Sequence, residues 1–220
     1  MAAITKQDWV AQVLRERIIA GQYARGDKLK QAELAAELGV SITPVREALL
    51  TLQAEGYVGG NPHKGLIVPH LVAGQVREIY DLRLMLEREL TAIAVARITP
   101  GRFQELQDLQ RDVVRAIEAG DLLAVRTANV RFHFGLYAMA ERPQTLHFVR
   151  VLWSKYPFTA QDTRHDRPNR MRHEHDDILA RIADDDPSGA VEAMVAHIRS
   201  GWREGRHGLA AVPATGAVTA

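Results

Sequence analysis

The chain contains no cysteine among its 220 residues, which excludes disulfides, thiolate nucleophiles and cysteine-ligated zinc. No apolar run approaches the roughly 20 residues needed to cross a bilayer, and the N-terminal MAAITKQDW lacks the apolar core of a secretory signal. A cytoplasmic protein with no membrane partner is the expectation. A surplus of one charge is missing too: 28 Lys and Arg face 27 Asp and Glu, for a net charge of +1. Residues 1–70, with eight basic and seven acidic side chains, show the same balance. Bulk charge therefore does not announce a nucleic-acid binder, and any such contact has to come from where particular residues sit. A hydrophobic fraction of 46% still allows one large or two modest domains.

Residues 1–70 alternate short helical patterns with glycine. Val10, Leu14 and Ile18 recur at helical spacing before Gly21. A second helix is predicted over Gln31–Leu38, ended by Gly39. After Val40, Ser41 offers the oxygen of an N-cap to a third helix carrying Val45, Ala48, Leu49 and Leu52 inward as far as Gly56. Two helices joined by so short a turn form a helix-turn-helix. Tyr57–Gly59 and Leu66–Val68, flanking the turn-rich Asn61–Gly65, read as a two-stranded wing.

From residue 71 to 208 the pattern is helical throughout. Helices are expected at about 74–98, 101–119, 122–140, 143–161, 169–183 and 187–205, with Asp121 and Asp186 as N-caps and Pro187 in a first turn. These are the proportions of an antiparallel bundle. Residues 209–220, LAAVPATGAVTA, carry no charge and no period and are expected to be a disordered tail. The predicted fold is mainly α, a winged helix-turn-helix followed by an all-helical bundle.

Such a head could be a mere scaffold or a protein-docking module, because fold alone proves no function. The surface chemistry of the third helix favours DNA. Ser41 and Thr43 bring hydroxyls and free amides to a positive helix end suited to phosphate, and Arg46 lies off the apolar face with a fork fit for guanine or phosphate. Lys64 and Gly65 add a cation and a close-approach tip on the wing.

These residues carry a resemblance. Gly21, Gly26, Leu29, Leu34-Ala35, Leu38-Gly39-Val40, Ser41, Thr43 to Leu49, Glu55-Gly56 and Gly65 resemble the winged-helix pattern of GntR-family transcription regulators over residues 10–69. The family usually has arginine where Ile42 stands, and its fatty-acid-responsive members have another where Ala32 stands. Ile42 can offer methyls to a thymine methyl or pack on the neighbouring helix. The resemblance implies a homodimer on a double-stranded operator with palindromic half-sites, most often a repressor.

Nine histidines occur, seven of them after residue 70. Asn129 and His133 are four apart and share a helix face; His175 and His197 fall on later helices. Spacing alone does not bring three helices to a point. Residues 75–205, through Ile79 to Glu87, Phe132-His133, Glu174-His175 and Ala193 to His197, resemble the FCD effector-binding domain of the FadR subfamily. That resemblance implies a divalent metal on His133, His175 and His197, with Asn129 where the family has aspartate. Three imidazoles suit Zn²⁺ or Ni²⁺, and an open position suits a small carboxylic acid as effector. Arg83 and Tyr80 are then expected to contact the effector, with Trp153 and Tyr156 as further lining. Arg83 can equally pair with Glu87 four residues on, and the aromatics can be plain core.

A different class remains open: three histidines with a free position also describe a metal-dependent hydrolase or lyase, with Glu174 as base. Neighbours on a helix diverge by about 100°, so Glu174 is expected to point away from a metal held by His175. That reading also leaves the first seventy residues without a role, and a regulator rather than an enzyme is the expectation.

Overall fold

A computed structural model of the chain describes residues 5–61, 65–70, 72–155 and 166–209. The head comprises α1 (Lys6–Ile19), α2 (Gln31–Leu38), α3 (Ile42–Ala54) and a hairpin of β1 (Gly59–Asn61) and β2 (Gly65–Ile67). A single 3-10 turn leads into the body: α4 (Val76–Val95), α5 (Pro100–Glu118), α6 (Leu122–Ala138), α7 (Pro143–Ser154), α8 (Arg167–Ala183) and α9 (Pro187–Leu209). The expected architecture, mainly α with a winged helix-turn-helix ahead of a helical bundle, is the one observed.

The head is held by the apolar stripes that the sequence displays. Thr5 and Asp8 form a reciprocal capping box at the start of α1, whose Val10, Leu14 and Ile18 are buried against Val45, Leu49 and Leu52 of the fully buried face of α3. Truncating a fully buried leucine such as Leu49 to alanine costs about 2–5 kcal/mol. Between α2 and α3 the chain reverses at Gly39, whose φ of 65° is the left-handed C-cap only glycine adopts cheaply.

The wing begins later than the sequence suggests. Tyr57 and Val58 do not enter the sheet, because their N–H groups donate to the Leu52 carbonyl as the exit of α3. Pairing starts at Gly59 opposite Ile67 and ends with Asn61 opposite Gly65. Gly60 is obligatory here, since a Cβ would lie 2.6 Å from the Gly65 carbonyl oxygen.

In the body α5 packs on α6 and α8, α8 on α9 and α9 on α4, while α4 also touches α6 and α7. Thr99 and Asp121 cap α5 and α6 through their side chains, and Asp186 accepts from the Gly189 amide at the start of α9. Two ends differ from the sequence expectation. Helix α7 stops at Ser154, where the Lys155 N–H folds back to Leu152; Tyr156 lies outside the described residues. Helix α9 runs on through Leu209, and of the expected disordered tail residues 210–220 lie outside the described residues. Helix α1 rests on α6 and α7 as well as on α3, so head and body abut.

Candidate functional site

The N-terminus of α3 separates its two faces cleanly. Val45, Ala48, Leu49 and Leu52 are buried, while Ser41, Ile42, Thr43 and Arg46 are exposed. Ser41 occupies the N-cap position with extended backbone, yet its hydroxyl makes no capping bond; the sequence expectation of a side-chain cap is not met. Hydroxyl and first-turn amides therefore stay open to an outside acceptor. Ile42 is 52% exposed, so its methyls lie on the surface rather than in the groove of the neighbouring helix. Arg46 makes no ion pair among the described residues. Gly65 closes the wing with φ of 110° and open space around it, and Gln53 ties α3 to the wing through the Gly60 carbonyl. Lys64 lies outside the described residues.

The body brings together what the sequence could not. His133 from α6, His175 from α8 and His197 from α9 are all buried, and their donor atoms lie within 4.8 Å of one another. The partners of the outer ring nitrogens decide the protonation of the inner ones. His175 Nδ1 sits 3.0 Å from the Gln110 carbonyl oxygen, which only accepts, so Nδ1 carries the proton. His197 Nδ1 donates to Glu174 at 2.7 Å. Tyr137 donates its hydroxyl proton to Glu87 at 2.7 Å and therefore accepts from His133 Nδ1 at 3.1 Å. All three Nε2 atoms are thereby left as lone pairs pointing inward.

Such an arrangement is electrostatically incomplete. His133 Nε2 and His197 Nε2 face each other at 3.0 Å, and His175 Nε2 is buried without a partner. Asn129, one turn before His133 on α6, adds a buried side-chain oxygen that is also without a partner. The three inward lone pairs of these neutral imidazoles are a donor set that a divalent cation would fit. Burial and the neighbouring imidazoles hold His133 well below its ordinary pKa; burial, then His197 and the charge of Arg167, do the same for His175. His197 is lowered chiefly by burial, against the pull of Glu174. Neutral rings are the forms a metal requires.

The surrounding groups were only partly readable in the sequence. Arg83 is buried and pairs with Glu87 at 2.7 Å, its guanidinium 4.5 Å over the Trp153 ring, so of the two expectations for it the ion pair is the one seen. Removing one partner of a buried pair costs about 3–5 kcal/mol. Tyr80 is buried and stacks on Trp202 at 4.4 Å, a core contact. Glu174 does diverge from His175, as helix geometry requires, but it reaches His197 instead and also pairs with Arg167 at 2.7 Å. Burial opposes its ionisation, yet the His197 hydrogen bond and Arg167 hold its pKa down to about 2. Gln110 gave no signal in the sequence. Tyr137 could have been found at His133 plus four, and Arg126, with a buried Nε lacking a partner, at Asn129 minus three.

Comparison with known proteins fixes the family. Residues 6–68 match the bacterial regulatory proteins of the gntR family and residues 78–200 match the FCD domain. The chain belongs to the GntR family. This GntR protein is 30% identical over 184 residues to the Nta operon transcriptional regulator of Aminobacter aminovorans, covering 82% of this chain and 85% of that one. It is 34% identical over 140 residues to the HTH-type transcriptional regulator McbR of Escherichia coli, covering 64% and 63%. The solved structure of E. coli McbR/YncC superposes with a TM-score of 0.83 at 26% identity over 94% of this chain and 99% of that one. The GntR head and FCD body make this chain a DNA-binding transcriptional regulator, and no helix among its described residues is long and apolar enough to cross a membrane.

Proposed function

We propose that this GntR regulator is a homodimeric repressor whose grip on its operator is set by a small carboxylate bound at a divalent-metal site in the body. The observation that carries the reading is the convergence of three inward Nε2 lone pairs with no proton among them. His133, His175 and His197 would hold zinc or nickel, with Asn129 as a fourth, neutral donor. Bound there, the metal supplies a positive, Lewis-acidic position at which an organic carboxylate can be held.

The chain's own residues do the rest. Gln110, Glu174 and Tyr137 orient the imidazoles, and Arg83 steadies Glu87, which in turn holds the Tyr137 hydroxyl. Asn129 contributes no charge, so an anionic effector supplies what the family aspartate would. Arg126, on the same face of α6 one turn before Asn129, is the cation best placed by sequence spacing to assist it; Arg83 and Tyr80 act from behind, through Glu87 and through packing. On the head, Ser41 and Thr43 hold phosphates, Arg46 reads or anchors, Ile42 offers methyls to thymine, and Lys64 and Gly65 approach the backbone from the wing. One α3 reads too few base pairs, which is the argument for a dimer on palindromic half-sites. The effector shifts the heads only by its differential affinity for their arrangements.

A hydrolase at the same site is the weaker reading. Glu174, the carboxylate such an enzyme would use as base, is committed to His197 and Arg167 and held at a pKa of about 2, far from that of an efficient general base. The test is footprinting on the chain's own upstream DNA with zinc-loaded protein, with and without a panel of small carboxylic acids. Two half-sites about one helical turn apart, released by an acid only when metal is present, are expected. Protection unaffected by metal and by every acid would remove the effector model.

A further inference from the structure

A cleft lies where head and body meet. This cleft of about 710 Å³ is walled by α1 and α3 on one side and by α5, α6 and α7 on the other, within the size range of small-molecule sites. It shares none of its lining with the three histidines.

Its charged groups divide into spent and unspent. Arg15 is spent: its guanidinium holds Glu55 through Nε and Nη2 at 2.8–3.1 Å. Asp8 is spent on the Thr5 capping box. On the body wall, Arg131 and Arg150 line the same cleft, and neither has a carboxylate partner among the described residues. Arg150 is half-buried with its guanidinium 5.4 Å over the Phe134 ring. Behind Arg15, whose guanidinium lies 5.5 Å from the Tyr57 ring, the Tyr57 hydroxyl is buried and has no partner. Without a carboxylate partner among the described residues are thus two guanidiniums, that of Arg150 half-buried and that of Arg131 exposed, while on the head wall the Glu16 carboxylate accepts from the Gln12 amide at 3.3 Å and has no cation partner among those residues. Between them the wall is apolar, formed by Leu109, Val130 and Phe134. The half-buried guanidinium of Arg150 is costly to leave without an acceptor, and an acid group that accepts from it offsets that cost.

We propose that the cleft is a second ligand site, taking a small dicarboxylate whose acid groups meet Arg131 and Arg150 and whose apolar spacer lies along Val130, Phe134 and Leu109. Arg131 and Arg150 stand on separate helices, which favours two acid groups over one. The cleft has a head wall and a body wall, so its occupant couples them. Glu16 and Glu55 of the head act on Arg150 across the cleft; an acid group on Arg150 takes over that attraction and loosens α1 from α7. Ligand binding and head position are then linked reciprocally.

The test is calorimetric titration of the full chain with α,ω-dicarboxylates from succinate to suberate, beside the corresponding monocarboxylates, before and after chelation. One dicarboxylate per chain, with an optimum spacer length, persistence after chelation, and at least tenfold weaker binding in Arg150→Gln and in Arg131→Gln are expected. Arg131 is exposed, so Arg131→Gln keeps the test decisive if Arg150→Gln fails to fold. Binding that vanishes on chelation and ignores both substitutions belongs to the histidine site and overturns the proposal. So does monocarboxylate binding as tight as that of the best dicarboxylate, or no dicarboxylate binding at millimolar concentration. The metal-site reading is judged separately, by zinc uptake.

Discussion

Head and body solve recognition in opposite ways. At the start of α3 the chemically useful groups are exposed and uncommitted: Ser41 makes no capping bond, Ile42 is half out in solvent and Arg46 has no ion pair among the described residues. Around the histidines the three rings are buried, and each outer nitrogen is held by a named partner on another turn or another helix. The partner of the head is a large surface that arrives from outside and supplies the missing acceptors. The partner proposed for the body is an ion, which has to find its donors already aimed and deprotonated.

The contrast predicts that damage at one end stays there. His175→Ala removes one of three inward lone pairs, and zinc affinity is expected to fall by orders of magnitude in a chelator competition. Basal affinity for the operator in the same variant should stay within a few-fold, as fluorescence anisotropy on labelled DNA would record. Next in size, Arg46→Ala should weaken specific operator binding by about 1–3 kcal/mol with metal content unchanged. An unaltered footprint would take Arg46 off the reading surface.

The difference in design also explains what could be read in advance. The head is local: α1 to α3 follow apolar stripes and glycine stops that sit within a few residues of each other, and Gln31–Leu38 is observed with the bounds the sequence predicts. The later start of its wing arises because the Leu52 carbonyl captures two amides meant for the first strand, a bond invisible to periodicity. The body is non-local. Spacing put Asn129 and His133 on one face but gave no reason for α8 and α9 to bring His175 and His197 to the same point; only the family resemblance did. Gln110, on α5, is joined to His175 by no sequence pattern at all. Glu174 shows the opposite failure, since helix geometry correctly turned it from His175 but said nothing of the neighbour it would meet.

Two smaller effects probe the supports themselves. Tyr137→Phe keeps the ring and its packing while removing the hydroxyl between His133 and Glu87. Metal affinity should drop by about tenfold, near the lower end for outer partners of a metal ligand, with no change at the DNA-binding end. An affinity equal to that of the parent chain would show that His133 is oriented by packing alone. Acid should reveal the buried rings: in metal-free protein the folded-state values of His133, His175 and His197 lie below the ordinary value of about 6.5. Between those values the unfolded chain binds more protons, so stability rises with pH and is lost as pH falls below about 6.5. The urea midpoint of chelated protein should therefore be lower at pH 5.5 than at pH 7.5. A midpoint indifferent to pH would mean that these rings titrate alike in both states.

The metal-site reading of the body rests on three imidazole nitrogens being lone pairs that can hold one cation. Zinc titration of chelated, refolded full-length chain, read by calorimetry beside His175→Ala, puts this to the proof. One ion per chain, bound at submicromolar concentration and lost in the variant, is the predicted result. No uptake, or uptake that His175→Ala leaves untouched, would contradict it.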